Sequence, residues 1–306
     1  MRVIPFIAAV SSAVVVAFGP GACAADPPSD GRTSVVAAFY PLQFLAERIG
    51  GDRVSVTNLT KPGAEPHDLE LQPKQVSAIE RAGLVLYLAG FQPAVDDAVT
   101  QEAKDHALDV ATVQPLSTAA PGVEEEGSGK HANQGLDPHV WLDPVRFSAI
   151  ADTVADRLAK LDPAHAADFR TRLAGLKDDL TKLDGEYRTG LANCARHEIV
   201  TSHAAFGYLA ARYHLTQIPI TGLSPDEEPG PQRLQEVADL AKEKGVTTIF
   251  FETLVSPKIS EALAKEVGAK AEVLDPIEGL EPGSSGTYLT VMGSNLATLR
   301  TALGCV

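Results

Sequence analysis

The stretch Ser34-Val35-Val36-Ala37-Ala38-Phe39 begins the repeating pattern that decides the fold. This short apolar run predicts a buried strand, and apolar residues at helical spacing follow it as far as Gly50-Gly51. Alternating apolar residues from Val54 to Leu59 predict a second strand, residues 74–81 a helix and residues 84–88 a third strand. Because strands that alternate with helices are typical of parallel sheets, the sequence predicts an α/β fold.

A long helical pattern separates this half of the chain from a second half with the same rhythm. Apolar residues recur at steps of three and four from Ala164 to Leu191, which predicts a single helix. At 1.5 Å per residue it would be roughly 40 Å long, so we interpret it as a rigid connection between two similar lobes; an ordinary core helix is the alternative. The predicted boundaries are 33–160 for the N-terminal lobe, 163–191 for the connecting helix and 194–306 for the C-terminal lobe.

The first 24 residues are predicted to be a signal peptide. Arg2 precedes an apolar run from Val3 to Phe18, and small residues follow that run. A membrane anchor is the alternative, but glycine and proline interrupt the run before it reaches a comfortable spanning length. Gly21-Ala22-Cys23 is similar to the end of a lipobox, so Cys23 is a candidate for lipid attachment, with cleavage after Ala24 as the alternative. We therefore expect an exported protein, in a periplasm or on the outer face of the cytoplasmic membrane.

The composition indicates which classes of partner the protein can bind and whether its cysteines are oxidised. The 306 residues include 40 acidic and 26 basic side chains, which argues against nucleic-acid binding, since that needs a basic face. An acidic balance suits a protein that handles cations, although it is mostly a solubility trait. Outside the signal peptide, Cys194 and Cys305 remain, and export favours a disulfide between them over two free thiols.

Four side chains that can bind metal are candidates for one shared site. They are His67, His139, His203 and Asp275. Successive members are more than sixty residues apart, so they form no local zinc motif. Ligands of open parallel sheets bind at the carboxyl ends of strands, and such spacing fits side chains that meet there, in a cleft between the lobes. We expect His203 to begin a helix, where the helix dipole would favour a neutral imidazole.

The motifs around these residues resemble those of the cluster A-I, or cluster 9, substrate-binding proteins, which deliver zinc or manganese to ABC importers. The matching stretches are Pro62-Gly63-Ala64-Glu65-Pro66-His67-Asp68, Asp137-Pro138-His139-Val140-Trp141-Leu142-Asp143-Pro144, Thr201-Ser202-His203-Ala204-Ala205-Phe206-Gly207-Tyr208, and Glu252 with Leu274-Asp275-Pro276. They occur in order over almost the whole mature chain. The resemblance implies two α/β lobes with mainly parallel sheets, one rigid connecting helix and a metal ion in the cleft between the lobes.

The resemblance also implies the ligands and the partners. It implies Zn²⁺ held by His67, His139, His203 and Asp275, with Glu65 and Glu252 supporting the ligands. Manganese members commonly have Glu in place of the third His, and imidazole suits Zn²⁺ better than Mn²⁺, so we assign the zinc-binding subgroup. A monomeric receptor is expected to deliver the ion to a membrane permease with its ATPase, with a zinc chaperone as a further candidate partner.

Three alternatives to this assignment stay open. A manganese receptor of the same family is one, and a surface adhesin, which no feature of the sequence specifically supports, is another. A zinc hydrolase is the third, but the sequence contains no His-Glu-x-x-His, and four protein ligands would leave no open position on the metal. We therefore expect no enzymatic activity. The acidic loop 121–135 contains one histidine rather than many, and we expect it either to steer cations or to have no role in binding.

Overall fold

The computed structural model of the chain describes residues 31–118 and 135–306. The predicted signal peptide, Cys23 and all of the acidic loop except Gly135 lie outside these residues. Within the two described ranges, no helix combines the length and the apolar character that a bilayer crossing requires.

The first half of the chain forms a parallel sheet of four strands, in the order β2-β1-β3-β4. Its elements are β1 (Thr33–Ala37), α1 (Tyr40–Gly50), β2 (Val54–Asn58), α2 (Pro73–Arg81), β3 (Leu84–Tyr87), α3 (Pro93–Ala98), β4 (Ala107–Asp109) and α4 (Pro144–Leu161). A π-helical turn, Val99–Ala103, extends α3. The alternation read from the sequence is confirmed, but the three-residue β4 was not predicted, because so short an edge strand has no apolar run to identify it.

The second half repeats this topology, with the strand order β6-β5-β7-β8 and every neighbouring pair parallel. Its elements are α5 (Ala166–Gly190), β5 (Glu198–Thr201), α6 (Gly207–Tyr213), β6 (Thr216–Pro219), α7 (Pro231–Glu243), β7 (Thr248–Phe251), α8 (Lys258–Val267), β8 (Lys270–Val273) and α9 (Tyr288–Leu303). The predicted α/β fold with two similar lobes is therefore confirmed. The lobe boundaries 33–160 and 194–306 stay a prediction.

The long helix α5 packs against elements of both halves. It has 25 residues, or about 37 Å of length, and a 3-10 turn at Pro163–His165 precedes it. One face buries Phe169, Leu176, Leu180 and Leu183, as the stripe in the sequence predicts. The helix packs against α1 and α4 of the first half and α9 of the second, so it contacts both lobes.

The C-terminal helix α9 joins the two lobes at its first residue. Tyr288 is fully buried and packs against Phe44 and Phe147 of the first half. Its backbone N–H donates to the Tyr40 hydroxyl (3.0 Å), and its own hydroxyl donates to the backbone oxygen of Trp141 (2.6 Å). The apolar core is therefore shared between the lobes, which favours small movements over a wide hinge.

The predicted disulfide between Cys194 and Cys305 is confirmed. It joins the segment after α5 to the end of the chain, 111 residues later. Two backbone hydrogen bonds support it, from Val306 N to Asn193 O (3.0 Å) and from Arg196 N to Leu303 O (3.1 Å). The bridge thus fixes α9 against the start of the C-terminal lobe.

We expect Cys194→Ser to lower the free energy of unfolding by roughly 2–5 kcal/mol, because the closed loop restricts the unfolded chain. Denaturant titration of the oxidised protein measures this loss. Cys305→Ser and the double variant are matched controls that remove the same bond, so all three should lose the same amount. A double variant with a clearly lower free energy of unfolding than either single variant would contradict the assignment of this disulfide.

Candidate metal centre

Four side chains converge in the cleft between the two lobes. They are His67, His139, His203 and Glu278, and one ligand atom from each lies within 4.8 Å of the others. His139, His203 and Glu278 are each at most 1% exposed. Two of the four come from each half of the chain, so neither lobe alone completes the cluster.

One oxygen of the Glu278 carboxylate lies within 3.5 Å of all three histidines of this cluster. Its Oε1 is 3.0 Å from His139 Nε2, 3.1 Å from His203 Nε2 and 3.5 Å from His67 Nε2. The His139 and His203 Nε2 atoms are 3.4 Å apart. Ligand bonds of 2.0–2.1 Å in a tetrahedral zinc site imply ligand atoms about 3.3–3.4 Å apart. These four distances are therefore close to those of a tetrahedral site, and all four ligand atoms lie within 4.8 Å of one another.

His139 is held by the loop in which it lies. Asp137 Oδ1 accepts hydrogen bonds from the His139 backbone N–H (2.9 Å) and Nδ1 (2.8 Å). Because Nδ1 of His139 is hydrogen-bonded to Asp137, its Nε2 faces the other residues of the cluster. This arrangement is common around metal-bound histidines. A Cβ atom on Gly207 would come within 2.5 Å of Asp137 Oδ2, so α6 can approach this carboxylate only because its first residue is glycine.

His203 is held from the same lobe by Glu252, which directly follows β7. Glu252 Oε1 accepts from His203 Nδ1 (2.8 Å) and from the Ser202 hydroxyl (2.6 Å). His203 itself lies in a turn, and α6 begins only at Gly207. The expectation that His203 begins a helix is therefore wrong, and a carboxylate rather than a helix dipole sets its electrostatics.

His67 lies at the end of the turn that includes Glu65. Glu65 Oε2 accepts from the His67 backbone N–H (2.9 Å), and the His67 ring contacts the edge of Phe91, with centroids 4.5 Å apart. Its Nε2 is buried and, among the described residues, has no hydrogen-bond partner. A buried nitrogen without a partner is costly, and a metal ion at the centre of the cluster would satisfy it.

The fourth position differs from the expectation drawn from the sequence. Asp275 is not among the four clustered residues. Its Oδ1 accepts from the Ile277 backbone N–H (2.7 Å), and its Oδ2 accepts from the Thr253 hydroxyl (2.9 Å). Glu278, three residues later, takes the place at the cluster. Nothing in the sequence pattern marked Glu278, because the turn that aims it depends on a left-handed Ile277, a conformation that isoleucine rarely adopts.

The charges of the cluster depend on one another. Burial alone would raise the pKa of Glu278, but His203 and His67 hold it well below its usual range. Burial alone would lower the pKa of His203, but Glu252 and Glu278 raise it well above its usual value. The pKa of His139 is likewise raised, by Asp137 and Glu278 against the effect of burial. Without a metal, the carboxylate is thus neutralised by protonated imidazoles.

His67 and Glu65 behave differently from these groups. Burial lowers the pKa of His67 despite the attraction of Glu278, in contrast to the raised pKa values of His139 and His203. Burial, and then the negative charge of Glu278, raise the pKa of Glu65 to about 9. Glu65 therefore adds no negative charge to the cluster near neutral pH.

The donor set determines which ions the cluster can bind. Three imidazole nitrogens and one carboxylate oxygen in tetrahedral spacing suit Zn²⁺, whereas Mn²⁺ and Mg²⁺ prefer more oxygen ligands. Asp137 and Glu252 fix the ring orientations that such a site needs. Four protein donors fill a tetrahedron, so the arrangement suits holding an ion rather than activating a water molecule on it.

Comparison with known proteins gives consistent matches. A family model described as zinc-uptake complex component A, periplasmic (ZnuA), matches residues 35–302. "Zinc-binding protein AdcA" of Streptococcus pyogenes serotype M3 is 36% identical over 289 residues, which are 89% of this chain. They are only 56% of that protein, so the chain spans about half the length of this curated relative. "High-affinity zinc uptake system protein ZnuA" of Bacillus subtilis strain 168 is 34% identical over 308 residues, 97% of this chain and 96% of that protein.

The solved structures lead to the same group. The laminin-binding protein Lmb of Streptococcus agalactiae has a TM-score of 0.79 and 32% identity, covering 89% of this chain and 99% of its own. That protein is described as bifunctional, with adhesin and metal transporting activity. The two-lobed architecture is therefore shared with solved relatives.

We expect the metal-free protein to become less stable as the pH rises from about 6.5 to 9. A group whose pKa is raised by folding contributes stability below its unfolded pKa and loses it as the pH passes the folded value. His139 and His203 start from 6.5 and are raised, and Glu65 is raised to about 9, so all three act in this direction. His67 and Glu278, whose pKa values are lowered, weaken the fold only at lower pH.

Thermal unfolding after removal of metal by a chelator measures this dependence. Glu278→Gln is the matched control, because it removes the charge that raises the pKa of both histidines, and its midpoint should depend less on pH. A midpoint that rises between pH 6.5 and 9 in the unchanged protein would contradict the assignment.

Proposed function

Because this chain belongs to the zinc-uptake complex component A family, we propose that it is a high-affinity receptor that captures Zn²⁺ and delivers it to an ABC importer. The observation that carries the proposal is the buried cluster of three imidazoles and one carboxylate at tetrahedral spacing. We propose His67, His139, His203 and Glu278 as the ligands, with Glu278 in the position expected for Asp275.

The charge of the cluster supports a cation as the natural occupant. Arrival of Zn²⁺ displaces the protons held by His139 and His203, because only the neutral imidazole binds metal. The ion then supplies the positive charge that Glu278 needs, and His67 Nε2 gains a partner. Asp137 and Glu252 remain as acceptors for the Nδ1 atoms of His139 and His203 and keep the two rings in place.

We propose that the receptor works outside the cytoplasmic membrane, as its apolar N-terminus and the family description support. Attachment through Cys23, which lies outside the described residues, is part of this proposal. The partners proposed are a membrane permease with its ATPase, and a zinc chaperone as a source of the ion. The shared core around Tyr288 supports local loop rearrangement rather than wide lobe opening during release, and the protein is proposed to act as a monomer.

Hydrolysis is the alternative that the site geometry argues against. A hydrolytic zinc needs an open position and a free general base. The four proposed ligands would take all four positions of a tetrahedron, and Glu252 already accepts hydrogen bonds from His203 and Ser202. We therefore propose a receptor with no enzymatic activity.

We expect the purified protein to retain one Zn²⁺ per chain, and a moderate excess of Mn²⁺ should not displace it. The reason is that three imidazoles favour Zn²⁺, following the usual ligand preferences of the two ions. Elemental analysis before and after dialysis against Mn²⁺ measures the exchange. Retention of Mn²⁺ in the presence of equimolar Zn²⁺ would support the manganese receptor instead.

His203→Glu should shift the preference of the site toward Mn²⁺, because it replaces a nitrogen ligand with an oxygen ligand. Competition between the two ions, followed by calorimetry, measures the ratio of affinities. His106→Glu is a matched control, since that ring binds the backbone oxygen of Ile79 (3.1 Å) and is not among the clustered residues. An unchanged preference in His203→Glu would show that His203 is not a ligand.

A further inference from the structure

The residue before the Glu278 ligand has an unusual backbone. Ile277 has a φ of 59°, in the left-handed region, although its side chain is β-branched. Among the described residues, only His214 shares a positive φ without being glycine, and it lies at the C-terminal cap of α6, where a left-handed residue is common. Strained conformations of this kind persist only where the surroundings enforce them, and they concentrate at functional sites.

Asp275 holds this backbone from within the same turn. Its Oδ1 accepts from the Ile277 N–H (2.7 Å), and the Thr253 hydroxyl fixes the other oxygen (2.9 Å). The backbone of Asp275 is fixed in turn by Asn295, which is 2% exposed. Asn295 Oδ1 accepts from Asp275 N (3.0 Å), and Asn295 Nδ2 donates to Asp275 O (2.7 Å). Asp275 is thus anchored on both sides and points its carboxylate at Ile277 rather than at the metal site.

The other lobe holds the same turn from the opposite side. Trp141 Nε1 donates to the backbone oxygen of Pro276 (2.7 Å), and Trp141 lies two residues after the His139 ligand. The Ile277 side chain is 0% exposed, in the core shared by the lobes. The turn that presents Glu278 is therefore anchored by Asp275 in its own lobe and by Trp141 in the other.

We propose that Asp275 is a positioning residue, which keeps the strained turn at Ile277 in the conformation that aims Glu278 at the three histidines. The inference rests on the proposed function and deepens it. When the anchors release the turn, Ile277 relaxes to an ordinary backbone and Glu278 leaves the cluster before the histidines do. The site then retains three imidazoles and releases Zn²⁺ faster.

The test measures how fast Zn²⁺ dissociates from variants of Asp275 in the presence of excess chelator. Asp275→Ala removes the acceptor for Ile277 N–H and should speed dissociation by roughly 10–100-fold, the usual cost of losing a group that orients a ligand. Asp275→Asn keeps an acceptor oxygen at the same place and should stay within about threefold of the unchanged protein. An Asp275→Asn variant as fast as Asp275→Ala would overturn the proposal.

A double-mutant cycle distinguishes a positioning role of Asp275 from direct metal binding and from general stabilisation of the lobe. If Asp275 acts through Glu278, then adding Asp275→Ala to Glu278→Ala should change the dissociation rate by less than about twofold, because the positioned group is already gone. Equal effects of Asp275→Ala in both backgrounds would overturn the proposal. Such additivity would mean that Asp275 binds the ion itself or only stabilises the lobe.

Controls keep the result interpretable. Thermal unfolding of the metal-free variants checks that they fold, and Asp275→Ser takes the place of Asp275→Ala if the latter does not. Serine accepts from the backbone in the same kind of turn, but more weakly, so its dissociation rate should lie between those of Asp275→Asn and Asp275→Ala. If the unchanged protein did not bind Zn²⁺ tightly, the proposed function itself would fail; tight binding with an additive cycle would reject this inference alone.

Discussion

The contact of one buried carboxylate with three imidazoles is the interaction on which the rest of the structure depends. A buried charge is tolerated only when it is paired, and the loss of a partner for such a charge typically costs about 3–5 kcal/mol. The Glu278 carboxylate comes from one lobe and shares its charge with His67 and His139 of the other. The lobes must therefore stay closely packed for either to bury its part of the site, and α5 and α9 provide that packing.

Outside the four clustered residues, three carboxyl groups have two different effects. Asp137 and Glu252 accept from ring nitrogens and make His139 and His203 more basic, which strengthens them as ligands and as proton carriers. Glu65 accepts from the backbone of His67 and remains protonated itself. The cluster thus combines two histidines whose pKa values are raised, His139 and His203, with one, His67, whose pKa is lowered.

Strand periodicity predicted the parallel fold, which puts residues that follow strands at one edge. Three residues expected at one site from this argument, His67, His139 and His203, do lie together in the structure, and their role as ligands stays a prediction. The limits are specific. His203 was placed at a helix start because the pattern cannot show that α6 begins four residues later. Asp275 is expected in the site because it directly follows a predicted strand, and no feature of the sequence pattern points to Glu278. Only the left-handed Ile277, stabilised by contacts from Asp275 and the distant Trp141, directs the chain so that Glu278 reaches the cluster.

Trp141 has a consequence of another kind. It is the only tryptophan of the chain and is 1% exposed, its ring centroid lies 5.2 Å from that of His139, and its indole N–H donates to the opposite lobe at Pro276. All indole fluorescence of this protein therefore arises from one point, beside the His139 ring and at a hydrogen bond that joins the lobes. This single indole is thus placed to report, without a label, on changes at the cluster and at the contact between the lobes.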